Sequence, residues 1–142
     1  MDFSFTEEQR MMRESVRKLM DRIATPEYVR RLDREQAYPG ELYAAWVEVG
    51  LLRVPFEEKY GGVGGSVVDL AIVAEEISRK SADFFMAYAG SVFCGMNVAR
   101  KGSEEQKRHW LPKLLSGEIK MSISMSEPDA GSDVGAMKTS AR

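Results

Sequence analysis

The stretch Asp83–Arg100 has the sequence DFFMAYAGSVFCGMNVAR and decides the fold of this 142-residue chain. Large apolar side chains recur on every face of a helix drawn through it, and only its two ends are charged. An α-helix that is apolar all round packs in the middle of a bundle. Its uncharged part, Phe84–Ala99, is shorter than the ~20 residues that a membrane span needs. We therefore expect a buried core helix and no membrane span.

The N-terminal region predicts another helix. Thr6 is a good N-cap, and Gln9 three residues later completes a capping box. Apolar residues then recur at helical spacing from Met12 to Ile23, with charged residues between them. Pro26 ends this helix or restarts it, because proline lacks the backbone N–H that a helix interior needs.

Between these two regions the sequence predicts further helices and one loop. Leu42–Val49 carries an apolar stripe that stops at Gly50, and Ser66 or Asp69 starts a later helix. Gly61–Gly65 is a loop by composition. It does not match the dinucleotide-binding fingerprint, which needs a preceding strand, a following helix and a fixed spacing. We favour a tight loop in which two backbones approach over direct phosphate contact.

The region after the central stretch changes its periodicity. Ser103 and Gln106 form a second capping box, and Pro112 lies inside the helix that follows, which we expect to bend there. After Gly117, apolar residues and serines alternate strictly over residues 121–126. Strict alternation is typical of a β-strand.

These elements predict two domains. Residues 1–117 are expected to form an all-α helical bundle. Residues 118–142 are expected to be the truncated start of a middle β-domain, with its first β-strand at the C-terminal end of the chain. We therefore expect these residues to be the N-terminal part of a larger enzyme, inactive alone.

Composition narrows the class of protein. Apolar residues make up 44% of the chain, charged residues 30%, and the net charge is -2, so no basic surface points to nucleic acid. Met1–Glu8 lacks the apolar core of a secretory signal. Cys94 is the single cysteine, which fits a reducing compartment. We expect a cytoplasmic location, or the mitochondrial matrix in a eukaryote.

Metal binding has little support in the sequence. His109 is the only histidine and Cys94 the only cysteine, so no pair has ligand spacing. His109 lies among charged residues and is expected on an exposed helix face.

The run SEPDAGSDVG, residues 126–135, is the strongest candidate for ligand binding. It follows the predicted strand directly and combines hydroxyls, a rigid proline turn and free backbone amides. That arrangement suits a phosphate or the edge of a flavin. A solvated turn is the alternative, because Pro-Asp and Gly-Ser alone would account for one.

The central helix offers a second candidate. Tyr88 and Phe93 could line an apolar ligand groove or belong to the core, and composition leaves both open. Small neighbours would leave room for a linear apolar chain beside them; these are Ala87, Ala89, Gly90 and Gly95.

Several motifs together resemble the acyl-CoA dehydrogenase family. The run Met125–Asp133, ending on Ala136, resembles the family signature, with one departure at Ser124, where a Gly, Ala or Cys is usual. Further matches occur in the right order along the chain: Phe5–Gln9, Pro55 with Tyr60–Gly62, Gly102–Lys107, Trp110–Pro112 and Gly117. The resemblance covers essentially the whole chain.

This resemblance implies a helical N-terminal domain followed by a β-domain and a C-terminal four-helix domain, with FAD between them. By position, the residues implied at the cofactor are Ile123, Ser124, Met125, Ser126, Gly131 and Ser132. The residues implied at the acyl-CoA substrate are Tyr88, Ala89, Phe93 and Ser132.

The resemblance also implies a reaction. A glutamate of the C-terminal domain takes the α-proton of the thioester while the β-hydride goes to the flavin, so no catalytic base is expected here. Glu127 is expected to hold its loop by hydrogen bonds. An electron-transfer flavoprotein or similar acceptor and a homotetramer are the implied partners.

Two kinds of alternative remain. The same fold could serve an enoyl-CoA reductase, an oxidase or a non-catalytic subunit. A helical module that binds a partner without catalysis belongs to a different class.

Overall fold

The computed structural model describes residues 4–140, of which residues 7–115 form a bundle of six α-helices. Their bounds are α1 Glu7–Ile23, α2 Pro26–Glu35, α3 Gly40–Glu48, α4 Val67–Ser78, α5 Ala82–Lys101 and α6 Glu104–Leu115. Short 3-10 turns occupy Leu51–Arg53, Glu58–Tyr60 and Val134–Ala136. The predicted all-α helical bundle is confirmed.

The helix starts follow from local sequence. The Gln9 backbone N–H donates to Thr6 Oγ1 at 3.2 Å, and the Thr6 N–H donates back to Gln9 Oε1 at 3.1 Å. The predicted box at Ser103 forms in the same way, with Gln106 N to Ser103 Oγ at 3.2 Å. These side chains satisfy backbone N–H groups that have no partner inside the helix. Both predicted capping boxes are confirmed.

The core lies where α5 packs between α4 and α6. Trp46 of α3 is fully buried, and its ring meets the ring of Tyr88 edge-on, with centroids 5.8 Å apart. The indole N–H of Trp46 faces Met20 Sδ of α1 at 3.4 Å. Aromatic pairs in such tilted arrangements add to the free energy gained by burying their area.

A buried carboxylate fastens α1 to α4. Glu76 is 1% exposed, and its oxygens accept hydrogen bonds from Arg13 Nε at 2.9 Å, Arg17 Nη2 at 2.7 Å and Arg79 Nη1 at 2.9 Å. The hydrogen bond from Arg17, with those from Arg13 and Arg79, lowers the pKa of Glu76 to about 2. An ionised carboxylate is tolerated in a core only when it is paired in this way.

Two glycines mark close approaches. The N–H of Gly62 donates to Glu57 O at 3.1 Å, and a Cβ at Gly62 would lie 1.9 Å from Phe56 O. A Cβ at Gly95 would lie 2.3 Å from Leu114 Cδ2, so Gly95 lets α5 and α6 touch. The interpretation of Gly61–Gly65 as a tight loop where backbones approach is confirmed.

The predicted β-strand over 121–126 does not form among residues 4–140. These residues have no regular secondary structure, and the only bridge nearby joins Glu127 to Ala130 within a tight turn. A strand exists only when a neighbouring strand accepts and donates its backbone hydrogen bonds. The described part of the chain provides no such neighbour.

Candidate functional site

One face of α5 is open to solvent. Met86 is 63% exposed and Phe93 47% exposed, and the Phe93 ring packs edge-on against Phe85 with centroids 6.3 Å apart. The expectation that this helix is buried on every side is therefore wrong for this face. None of the helices within residues 4–140 is long and apolar enough to cross a bilayer.

The opposite face of α5 belongs to the core. Tyr88 is fully buried, and its hydroxyl donates to Leu51 O at 3.0 Å. Burial raises the pKa of Tyr88 above its usual range. Ala89 is also buried. The structure thus buries Tyr88 and Ala89, whereas Phe93 lies on the open face.

A groove of about 280 Å³ runs along the open side of α5. Two of the small residues noted in the sequence, Ala87 and Gly90, line it, and Met86 lies beside them. Lys120 and Ser122 close the other side. Sequence reasoning missed Met86 and Lys120; the i, i+4, i+7 spacing of Met86, Gly90 and Phe93 is the signal for a shared face.

The chain reaches this groove through a tight turn after α6. Gly117 has φ +76°, and a Cβ there would lie 2.9 Å from Val47 Cγ2 of α3. The N–H of Ile119 then donates to Lys113 O at 3.3 Å, and the N–H of Met121 donates to Ser91 Oγ at 3.4 Å. These contacts lay the connection across α3 and α5.

Residues 122–126 follow with both faces exposed. The side chains of Ile123 and Met125 are half-exposed, and Ser124 and Ser126 lie in solvent. Within residues 4–140 the backbone groups of this segment pair with no other backbone group. Unpaired N–H and C=O groups in a row are available to a neighbouring chain segment or to a ligand.

The loop that follows is closed by Glu127. The N–H of Glu127 donates to Ala130 O at 2.8 Å across the turn. The Glu127 carboxylate accepts the backbone N–H groups of Lys138 at 2.9 Å and Thr139 at 2.8 Å, and also the Thr139 hydroxyl. The hydrogen bond from Lys138, followed by those from Thr139, lowers the pKa of Glu127. The predicted role of Glu127 in holding the loop is confirmed.

Gly131 and Ser132 lie on the outside of this loop, exposed to solvent. A Cβ at Gly131 would meet no atom within 4 Å, so the packing of the described residues does not require glycine there. The loop presents hydroxyls, backbone amides and the exposed carboxylates of Asp129 and Asp133, while the Glu127 carboxylate is already hydrogen-bonded. Such a surface can bind and orient a ligand.

His109 is exposed on α6, as expected, and its ring packs edge-on against the ring of Trp110, with centroids 4.5 Å apart. Residues 4–140 contain no cluster of three or more side chains that could hold a metal ion.

The candidate site consists of the α5 groove, segment 122–126 and the Glu127 loop.

Comparison with known protein families assigns the chain. The family model described as "Acyl-CoA dehydrogenase, N-terminal domain" matches residues 6–118. The chain belongs to the acyl-CoA dehydrogenase family. The match covers all six helices, so the whole bundle is the N-terminal domain of this family.

Two curated relatives and one solved structure illustrate the similarity. The probable acyl-CoA dehydrogenase YngJ of Bacillus subtilis is 34% identical over 99% of this chain and 37% of its own length. The acryloyl-CoA reductase (NADH) of Anaerotignum propionicum is 31% identical over 99% of this chain and 36% of its own. A glutaryl-coenzyme A dehydrogenase in complex with glutaryl-CoA superposes with a TM-score of 0.90 and 33% identity, covering 96% of this chain and 35% of that one. The chain thus spans about a third of the length of these family members.

Proposed function

We propose that this chain is the N-terminal part of an FAD-dependent acyl-CoA dehydrogenase that introduces a double bond between Cα and Cβ of an acyl-CoA thioester. The observation that carries the proposal is an apolar groove on α5 next to segment 122–126, whose backbone groups pair with no other backbone group of residues 4–140. Membership of the acyl-CoA dehydrogenase family supports the same activity.

The cofactor side of the site is segment 122–126 with the loop beyond it. Free backbone N–H and C=O groups suit the polar edge of a flavin, and half-exposed apolar side chains suit its ring. The space around Gly131 leaves room for a phosphate to approach the backbone. The residues that would hold FAD are Ile123, Ser124, Met125, Ser126, Gly131 and Ser132.

The substrate side of the site is the open face of α5. Met86 lines the groove, where Ala87 and Gly90 leave the space for an acyl tail. Phe93 does not line the groove but offers further apolar surface on the same open face. Tyr88 and Ala89 are buried, so they would set the position of this face rather than contact the tail. Ser132 would lie toward the thioester, as the family resemblance implies.

The two sides serve one reaction. FAD bound here would supply the acceptor for the hydride of the substrate β-carbon. The residues described above bind and orient the cofactor and the acyl chain and exclude water between them. Glu127 is tied to its loop, so the α-proton goes to a base outside these residues, which the resemblance assigns to a glutamate of a C-terminal domain. An electron-transfer flavoprotein or similar acceptor would reoxidise the flavin, and a homotetramer is the expected assembly.

The test uses the protein expressed from its complete gene. We expect a yellow protein whose flavin absorbance bleaches when saturated acyl-CoA thioesters are added without oxygen; butyryl-, isovaleryl- and glutaryl-CoA cover a range of tails. Bleaching by NADH, with enoyl-CoA consumed, would instead establish the reductase. Consumption of O₂ with each turnover would establish the oxidase. A colourless, stable protein would overturn the proposal in favour of a partner-binding helical module.

A further inference from the structure

Ser91 is a buried polar residue next to the groove. It lies on α5, is 2% exposed, and with Glu76 makes up the buried polar and charged residues of the chain between positions 4 and 140. Glu76 fastens α1 to α4 and does not line the groove. Ser91 instead lies directly beneath the groove, which it helps to line.

The Ser91 hydroxyl connects three parts of the molecule. It accepts a hydrogen bond from the Tyr43 hydroxyl of α3 at 3.1 Å, and that contact is fully buried. It also accepts the backbone N–H of Met121 at 3.4 Å. One oxygen atom therefore holds α3, α5 and the connection that leaves α6. A buried hydroxyl without partners would be costly, so its burial favours these contacts.

The same connection is held a second time by Lys120. The Lys120 ammonium lies 5.0 Å from the centre of the Tyr43 ring and 5.4 Å from that of Tyr38. A cation over an aromatic face at this distance is attracted to it. Tyr43 thus contacts the connection through both its ring and, by way of Ser91, its hydroxyl.

The position of Met121 matters because segment 122–126 starts at the next residue. An extended chain advances about 3.3 Å per residue, so Ile123 lies within about 7 Å of the anchor along the chain. Beyond Met121 no backbone hydrogen bond within residues 4–140 fixes the segment until Glu127. Any displacement at Met121 therefore passes directly to the residues proposed to meet the flavin.

We propose that Ser91 is a positioning residue for the flavin site, whose hydroxyl fixes Met121 and with it segment 122–126 against α3 and α5. This inference rests on the proposed function for its consequence at the flavin. The anchoring itself is independent of any cofactor. The two parts are therefore tested separately.

The first test measures anchoring by limited trypsin digestion of the flavin-free form of the protein expressed from its complete gene. S91A is expected to raise cleavage after Lys120 about fivefold relative to cleavage after Lys138, because losing one hydrogen bond shifts the open population by that order. Cleavage after Lys18, inside α1, reports global unfolding and should stay unchanged. S91T keeps the hydroxyl, and its extra methyl can enter the groove, so it should behave as wild type.

The matched control is S78A. Ser78 is an exposed serine of α4 whose hydroxyl donates only to Ala74 O of its own helix, at 2.6 Å. Its cleavage pattern should equal that of wild type. An unchanged ratio in S91A, or an S91T variant as open as S91A, would overturn the anchoring role.

The second test measures the dissociation constant of FAD in the protein expressed from its complete gene. We expect S91A to weaken FAD binding about fivefold and to change the visible circular dichroism of the flavin, with S91T restoring both. A merely structural role would lower the melting temperature without altering the flavin spectrum. Equal FAD affinity in S91A and wild type, beside increased cleavage after Lys120, would overturn the positioning role. A wild-type protein without flavin would overturn the proposed function and leave the anchoring result intact.

Discussion

The carboxylate of Glu127 accepts the backbone N–H of Thr139 at 2.8 Å and so closes the polar loop of the candidate site on itself. The contact spans twelve residues of chain and holds Gly131 and Ser132 outward. Loop order at this site therefore depends on the ionised Glu127 side chain, beside the ion pair of Lys138 with Asp129. That dependence can be measured.

Lowering the pH should open this loop. Because its hydrogen bonds lower the pKa of Glu127, they stabilise the loop above the ordinary glutamate pKa of about 4.3 and are lost as pH falls through the lower folded value. The amide chemical shifts of Lys138 and Thr139 should follow this titration in NMR spectra. E127Q should show the open-loop shifts with little dependence on pH, and E105Q, at an exposed glutamate of α6, should behave as wild type. A titration that persists in E127Q would contradict the assignment.

Removing the buried carboxylate of α4 should cost much of the stability. E76A leaves three arginines without their shared partner, and we expect a loss of about 3 kcal/mol in the free energy of unfolding. This is the lower end of the range for a broken buried pair, since the arginines retain contact with water. Urea denaturation at neutral pH measures it. The neighbouring E75A removes only an exposed partner of Arg13 and should cost about 0.5 kcal/mol or less. Equal losses in both variants would argue against a special role for Glu76.

Adding one methyl group between α5 and α6 should also destabilise the bundle. In G95A the new Cβ would lie 2.3 Å from Leu114 Cδ2 and 2.9 Å from Phe56 Cζ, which the packed core can relieve only by shifting. We expect a loss of roughly 1–3 kcal/mol in urea denaturation. A variant as stable as wild type would show that this helix contact is looser than described.

The same substitution at Gly131 should separate stability from function. A Cβ there meets nothing within 4 Å, so G131A should leave the free energy of unfolding within about 0.5 kcal/mol of wild type. If a phosphate approaches this backbone, the methyl group will weaken FAD binding to the protein from its complete gene. Fluorescence titration with FAD measures the effect. Unaltered affinity would remove Gly131 from the proposed cofactor site.

The 142-residue chain by itself should bind FAD weakly or not at all. Segment 122–126 is exposed on both faces, and one segment with one loop cannot enclose the flavin ring. Equilibrium dialysis of FAD against the purified chain provides the measurement. Tight binding of one FAD per chain would show that these residues form a complete cofactor site.

The features predicted correctly from the sequence are local ones. The capping boxes at Thr6 and Ser103 each involve residues three apart, so the sequence contains both partners. The tight loop at Gly61–Gly65 follows likewise from its own composition. For Gly95, the sequence alone does not distinguish a residue that leaves room for a groove from one that permits a close helix contact. The contact depends on Leu114, which belongs to another helix.

The features that sequence reasoning missed depend on distant partners. Alternation over 121–126 is compatible with a strand, but a ladder needs a second strand that residues 4–140 do not supply. Tyr88 and Met86 are both apolar positions on α5, and only the packing of Trp46 decides which of them faces inward. The contact of Ser91 with Met121 joins residues thirty apart in the chain and leaves no periodic signal.

The burial of Trp46 also gives the molecule an intrinsic optical reporter. Its indole is shielded from water, while the rings of Tyr43 and Tyr88 lie 6.1 and 5.8 Å away. At such separations light absorbed by either phenol is re-emitted largely by the indole. Fluorescence excited at the tyrosine band should therefore be indole-like while α3 and α5 remain docked, with exposed Trp110 adding emission at longer wavelength. Separate tyrosine emission should emerge as soon as these two helices part.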